Sequence, residues 1–259
     1  MNETPLTGGG RTTVVRRGDT VVRETGSWAP TVHALLRHLE EAGFSGAPRV
    51  KGSGFDDRGR ETLEFIEGEV VHPGPWDEAA LPHLGNLLRE LHAAAATFTA
   101  PDDAVWRPWH GRSMDDGLLG IGHCDTGPWN IISRDGLPIA FIDWEVAGPV
   151  TPLVDLAQTC WLNAQLHAED VAETQGLGSL EERARHVRLI LDGYELAKAQ
   201  RVGFVDRMIE FAVRDAAAEA IEAGVKPDTQ DSSALWGVTW RIKSADWMLR
   251  HRGALQTAL

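Results

Sequence analysis

The chain has 259 residues, a formal net charge of −13, 42% hydrophobic and 24% charged residues. That length holds one large domain or two small ones, and the balance excludes a disordered, collagen-like or coiled-coil chain. No run reaches the ~18–20 apolar residues of a membrane span, and the first residues, MNETPLTGGG, carry no apolar stretch of a secretory signal. Cys124 and Cys160 cannot make a disulfide framework and fit a reducing, cytoplasmic compartment. The acidity excludes nucleic acid, which needs clustered positive charge. It serves solubility alone, or it attracts cations such as basic small molecules and metal-bound nucleotide.

In chain order, residues 12–16 and 20–24 are β-branched runs around Gly18-Asp19, which predicts a hairpin. Gly8-Gly9-Gly10 precedes it. Val32, Leu35, Leu36 and Leu39 repeat at helical spacing, with Pro30 suited to the first turn and Gly43 to the stop. Strands follow around residues 49–51 and 61–66, turned by Asp56-Asp57-Arg58-Gly59. Residues 68–74 predict a connector. Beyond it Leu81, Leu84, Leu88, Leu91, Ala95 and Phe98 mark one face of a helix. Residues 101–122, with Trp106 and Trp109, read as a connector rather than a substrate-side loop. A second hairpin spans residues 130–142 around Asp135-Gly136. After Pro152 the pattern is helical, with breaks at residues 176–179, 203 and 226–233. The organisation is a small strand-rich unit, residues 1–67, and a larger, mainly helical unit, residues 68–259.

Two stretches carry chemistry. His123-Cys124-Asp125-Thr126-Gly127-Pro128-Trp129-Asn130 has the form H-x-D-x-x-x-x-N, and Phe141-Ile142-Asp143-Trp144-Glu145 puts an acid straight after an apolar strand. Asp125 and Asp143 lie 18 positions apart with the hairpin between them. Two carboxylates and an amide oxygen can therefore converge at the mouth of one hairpin. Such oxygens suit Mg²⁺, which takes one or two carboxylates with phosphate and water. A further carboxylate beside the metal can accept or orient a hydroxyl proton, the equipment of metal-assisted phosphoryl transfer.

This region resembles the catalytic centre of the protein-kinase-like superfamily, and more closely that of the aminoglycoside phosphotransferase family. The loop there reads H-G-D-x-x-x-x-N and the metal motif I-D-W-[DE], to which Ile142-Asp143-Trp144-Glu145 is similar. Leu87-Leu88-Arg89-Glu90-Leu91-His92 is similar to the helix before the loop, and Asp155-Leu156-Ala157 to the D-L-A segment after the metal motif. The resemblance runs from residue 8 to about residue 160. It implies an α+β, bilobal protein-kinase-like fold, with a small antiparallel-sheet N-lobe and a larger, mainly helical C-lobe. It implies a small-molecule kinase using ATP, or GTP in its place, with Mg²⁺. The acceptor would be an aminoglycoside or another cationic hydroxylated metabolite, and the protein a monomer or homodimer.

The resemblance also implies roles. Asp125 matches the aspartate that orients or deprotonates the acceptor hydroxyl, and Asn130 and Asp143 match the metal ligands. His123 matches a structural residue. Asp155 matches a buried acid that braces the loop, unless it is a helix N-cap. Arg23 falls where kinases place the phosphate-binding lysine, and a guanidinium can grip two phosphate oxygens; otherwise it is an exposed edge-strand arginine. Gly9 and Gly10 match the glycine-rich phosphate loop loosely, or belong to a frayed tail. Phe65 and Ile66 fall at the hinge that offers backbone groups to adenine.

Three features depart from the pattern. The helix after Arg23 begins Ala29-Pro30-Thr31-Val32-His33-Ala34, without the acid that pairs with the strand cation, and His33 falls at or near the partner position. The usual ion pair is expected to be absent or weaker. Cys124 stands in place of the family's glycine and reads as a buried, inert thiol. The glycine loop is short. These departures support an alternative, a degraded kinase-like module that binds nucleotide or ligand without catalysis. Glu169, Asp170, Glu173 and Asp246 are the candidates for holding a cationic acceptor, unless they form a solvated face. Trp236, Trp240 and Trp247 share one helix face, as core or as a wall for stacking, and Trp247 joins the candidate acceptor residues.

Overall fold

The computed structural model describes residues 3–6, 13–114 and 117–259. Gly8, Gly9 and Gly10, expected to form the phosphate loop, lie outside the described residues. The first unit is an antiparallel sheet of β1 (Thr4–Pro5), β2 (Val14–Arg17), β3 (Thr20–Arg23), β4 (Val50–Phe55) and β5 (Glu61–Glu64), in the order β1-β2-β3-β5-β4. The β2–β3 hairpin turns at Gly18, whose φ of +66° is available to glycine without strain. Pairing of β3 with β5 sets Arg23 directly opposite Glu61. Helix α1 (Ala29–Glu41) joins β3 to β4 and buries Val32, Leu35, Leu36 and Leu39, the face its spacing predicts.

The sheet ends at Glu64, and residues 68–74 lead into the second unit. There Glu69 and Ser133 exchange both backbone hydrogen bonds, at 2.9 and 2.7 Å. The second unit holds α2 (Leu81–Ala95), β6 (Gly120–Gly122), β7 (Ile131–Arg134), β8 (Leu137–Phe141), β9 (Gly148–Val150) and α3 (Pro152–Asn163). It continues with α4 (Glu169–Gln175), α5 (Leu180–Gly193), α6 (Phe204–Glu222), α7 (Ser232–Arg250) and α8 (Arg252–Ala258). The β7–β8 hairpin closes through Asp135 and Gly136, both at positive φ, as a tight turn of this twist requires. The short β6–β9 ladder was not foreseen: glycine and proline strands give no β-branched signal.

Helices α2 and α5 approach closely. A Cβ on Gly85 would meet the Ile190 carbonyl at 2.0 Å, so any larger residue pushes the helices apart. One apolar cluster runs from Leu36 through Leu88, Phe141 and Trp161 to Phe211 and Trp247, so both units share a continuous core. A small antiparallel sheet over a larger helical lobe is the α+β, kinase-like arrangement that the resemblance implies. Among the described residues, no helix is long and apolar enough to cross a membrane.

Candidate active site

The loop between β6 and β7 rests on one face of α3. A Cβ on Gly122 would meet Asp155 Oδ2 at 2.4 Å, so glycine lets that carboxylate rise under the loop. Asp155 accepts from the amides of His123 (3.0 Å) and Cys124 (2.9 Å) and from His92 Nε2 (3.1 Å). The Tyr194 hydroxyl meets the other His92 nitrogen at 2.8 Å. Burial pushes the Asp155 carboxyl up, but His92 and the other donors outweigh it and hold its pKa below the ordinary value. Thr151, not Asp155, occupies the N-cap of α3.

Further along the same face, Gln158 Oε1 accepts from the Thr126 amide at 3.1 Å, and Thr159 Oγ1 lies 2.6 Å from Thr126 Oγ1. Asn163 donates to the Thr126 carbonyl at 2.8 Å. Sequence reasoning singled out only Asp155 on this helix. The signal for its companions was a set of polar residues sharing a helical face within an otherwise apolar segment, PLVDLAQTCWLN.

Cys124 has a φ of +67°. That left-handed conformation costs a non-glycine residue about 1–2 kcal/mol, the physical reason glycine suits the position. Its thiol is buried, and burial pushes its pKa well up. His123 Nδ1 accepts from the Asp125 amide at 3.2 Å, while Nε2 lies 3.0 Å from the Ile142 carbonyl. The two bonds require a neutral ring with its proton on Nε2, and burial lowers its pKa accordingly. His123 thus ties the loop to the strand end that delivers Asp143.

Asn130 Nδ2 donates to Asp125 Oδ2 at 2.8 Å and to the Asp125 carbonyl at 3.0 Å. Burial, and after it the charge of Asp143, push the Asp125 carboxyl up to about 7. With its amide nitrogen engaged, Asn130 keeps its oxygen for a cation. Asp143, at φ +63° on the cleft wall, is a second oxygen donor. One amide oxygen and one carboxylate are a donor set that Mg²⁺ accepts together with phosphate and water, so these residues fit such an ion.

Arg23 is buried at the end of β3, not exposed on an edge. Its Nε donates to Glu61 Oε2 at 2.6 Å, and its Nη1 donates to Asp143. Glu61 Oε1 in turn accepts from His33 Nε2 at 2.9 Å. The acid missing from α1 is therefore supplied by β5, and α1 joins through His33. The ion pair expected to be absent or weak is present and buried. Burial raises the Glu61 carboxyl, but His33 and then Arg23 outweigh it and lower its pKa. Sequence reasoning missed Glu61 because cross-strand register leaves no local sign; the two residues are 38 positions apart. At the hinge, the Phe65 amide donates to the Asp19 carbonyl at 2.8 Å, so that backbone donor is engaged within the sheet.

A cavity of about 620 Å³ opens over Asp125, Asn130 and Asp143. Its other walls include Arg107, Trp109 and His110, so that part of the expected connector lines the site. Arg112 pins that segment by donating to the carbonyls of Arg107, Val146 and Pro149 at 2.9, 2.8 and 3.0 Å. Among the described residues, six carboxylates line the cavity (Asp125, Asp143, Glu145, Asp215, Glu219 and Glu222) against two arginines, Arg107 and Arg241. Arg241 pairs with Asp215 at 2.5 Å and Arg107 with Glu145. The remaining excess of acid favours cations.

The acids expected to hold an acceptor are elsewhere: Glu169, Asp170, Glu173 and Asp246 do not line this cavity. Glu169 accepts from the Trp247 indole at 2.7 Å, Asp170 pairs with Lys243, and Asp246 pairs with Arg250 at 2.9 Å. Glu173 is exposed, and Trp247 is fully buried core. Helical spacing tells which residues share a face but not which face meets the cleft. Phe65 and Ile66 do not line the cavity either.

Residues 103–187 match the family model of the phosphotransferase enzyme family (APH). Over 258 residues, 100% of this chain and 99% of the relative, the chain is 60% identical to the trifolitoxin immunity protein of Rhizobium leguminosarum bv. trifolii. Its fold is similar to that of a choline/ethanolamine kinase family protein from Mesorhizobium loti, with a TM-score of 0.64 and 16% identity over 99% of this chain and 93% of that one. It is similar also to the amicoumacin kinase hAmiN in complex with AMP-PNP and Ca²⁺, with a TM-score of 0.67 and 16% identity over 94% and 88%. By its loop and metal motifs and these matches, the chain belongs to the phosphotransferase enzyme family (APH), and its two-lobed fold is that of its kinase neighbours.

Proposed function

We propose that the protein transfers the γ-phosphoryl group of ATP, or of GTP, to a hydroxyl of a small cationic toxin or antibiotic, and that this modification confers immunity. The observation that carries the reading is the convergence of Asp125, Asn130 and Asp143 on one wall of a cavity rich in acid. The relative of 60% identity, named as an immunity protein, supports the biological role.

In this reading the acceptor hydroxyl sits against Asp125. Its oxygen bonds to the γ-phosphorus, the bond from that phosphorus to the β,γ-bridging oxygen breaks, and Asp125 takes the hydroxyl proton. Burial, the first cause of its raised pKa, favours the protonated carboxyl and so the uptake of that proton. Asn130 and Asp143 would hold Mg²⁺, which when bound would neutralise charge on the phosphates. Arg23 exchanges Asp143 for phosphate oxygens while Glu61 keeps its Nε. Gly9, Gly10 and the backbone around Phe65 and Ile66 keep the nucleotide-binding roles the resemblance implies. The acids of α6 attract the amines of the acceptor.

The test is a phosphotransfer screen. The protein is incubated with Mg²⁺-ATP or Mg²⁺-GTP and a panel holding trifolitoxin, aminoglycosides and a polar metabolite extract, with Asp125→Asn as control. The expected result is an acceptor that gains one phosphoryl group by mass spectrometry with the parent protein only. The competing reading, binding without catalysis, draws on the Arg23–Asp143 contact, which engages a proposed metal ligand. It prevails if a toxin binds without gaining phosphate and Asp125→Asn still protects cells.

A further inference from the structure

A second cavity, of about 370 Å³, adjoins the first, and Trp129 and Arg241 line both. Its chemistry is the opposite of its neighbour's: among the described residues, no carboxylate lines it. Its one guanidinium, Arg241, lies 4.6 Å over the Trp240 ring and is neutralised by Asp215 and by Glu219 at 3.3 Å. The walls are aromatic and held in place. Trp240 stacks on Trp161 with ring centres 5.4 Å apart and interplanar angle 24°, and Trp236 adds a half-exposed indole.

Two amide oxygens among the lining residues are buried and lack any hydrogen-bond partner, Gln165 Oε1 and Gln175 Oε1. Gln165, only 4% exposed, donates from Nε2 to the Pro73 and Gly74 carbonyls at 3.1 and 3.3 Å, which leaves its oxygen as the unused end. A buried acceptor without a donor is unfavourable and gains most from a ligand N–H. Flat indole faces gain most from a flat ring. A polycation, attracted by the first cavity, gains nothing from carboxylates here.

We propose that this second cavity is a binding subsite for an uncharged planar ring carrying amide N–H donors, and that it extends the acceptor site of the adjoining cleft. Only the second clause rests on the phosphotransferase reading. The acceptor is then bipartite, with a cationic hydroxylated part near Asp125 and a flat amide-bearing part between the tryptophans. Such a molecule differs in kind from a sugar that is cationic throughout.

The test titrates indole-3-carboxamide, with its fully N-methylated analogue, into the protein by ligand-observed NMR and calorimetry. Saturable binding is expected for the carboxamide, unchanged in Asp125→Asn, and about tenfold weaker in Trp236→Ala, in Gln175→Leu and for the methylated probe. Trp236 is half-exposed and Gln175 ends a short helix, so both variants retain the fold, which circular dichroism checks. Absence of saturable binding to the parent protein overturns the proposal, and so does equal binding by Trp236→Ala and Gln175→Leu. Probe binding needs no phosphoryl transfer, so a failed turnover screen leaves this result standing, and a failed titration leaves the turnover reading intact.

Discussion

Two buried ionic clusters hold the cleft from opposite lobes, and they differ in what they leave free. On the C-lobe side, Asp155 is filled by two backbone amides and His92, none of which faces the cavity. On the N-lobe side, Arg23 divides its guanidinium between the buried Glu61 and the cleft-facing Asp143. A carboxylate fed by fixed donors holds a loop in one shape, whereas a cation with one permanent and one exposed partner can change its second partner. The loop over α3 is built to stay, and Arg23 is built to exchange its second partner.

The comparison breaks first at the chemistry. Asp125→Asn is expected to lower turnover by about 10²–10⁴-fold and to leave nucleotide affinity unchanged, read as kcat against a Mg²⁺-ATP titration. Comparable losses in both would show that Asp125 shapes the nucleotide site as well. Next in size, Asp155→Ala strands the amides of His123 and Cys124 and the His92 ring in the core. About 3 kcal/mol of stability should be lost, measured as a shift in the urea midpoint. A shift near zero would mean that the loop holds itself without α3.

On the other side, Glu61→Gln keeps the shape but removes the charge that fixes Arg23. The nucleotide KM should rise about tenfold with a smaller change in kcat. An unchanged KM would deny Glu61 the place of the helix acid.

A further effect concerns pH and lies outside both clusters. His167 is buried, and burial, with Arg183, lowers its pKa from 6.5 to about 4. The unfolded chain therefore binds a proton that the folded one refuses between these values. This group's contribution makes stability fall as pH drops from 6.5 towards 4, by on the order of 3 kcal/mol in all. Asp125, with its raised pKa, acts in the opposite direction over much of that range, so the parent curve mixes the two. The difference between the parent and His167→Gln in denaturant melts isolates the histidine, and parallel curves for the two would contradict its buried neutral state.

Much of the fold was legible because its signals are local. The Gly18 and Asp135-Gly136 turns, the leucine face of α1 and the leucine face of α2 each follow from a few neighbouring residues. The site was legible where the motif is compact: Asp125, Asn130 and Asp143 are separated only by one hairpin, and the structure brings them to one wall. Legibility failed where partners are distant. Glu61 reaches Arg23 through sheet register, and Asp215, Glu219 and Arg241 reach the cleft through the rotation of α6 and α7. Glu169, Asp170, Glu173 and Asp246 carry the charge that suits a cation, but charge does not tell which acids reach the cleft, and these four do not line it.

By itself, then, the sequence determined the two-part organisation, the hairpin that joins the chemical residues, and the family, all carried by short-range spacing and a compact motif. Tertiary structure alone decided which acid holds Arg23, which walls surround the cavity over Asp125, and that an uncharged aromatic cavity lies beside the acidic one. Those outcomes depend on strand register and on how helices rotate as they pack. Both are set by minimising buried unpaired groups and voids over the whole core, and no window of sequence contains that information.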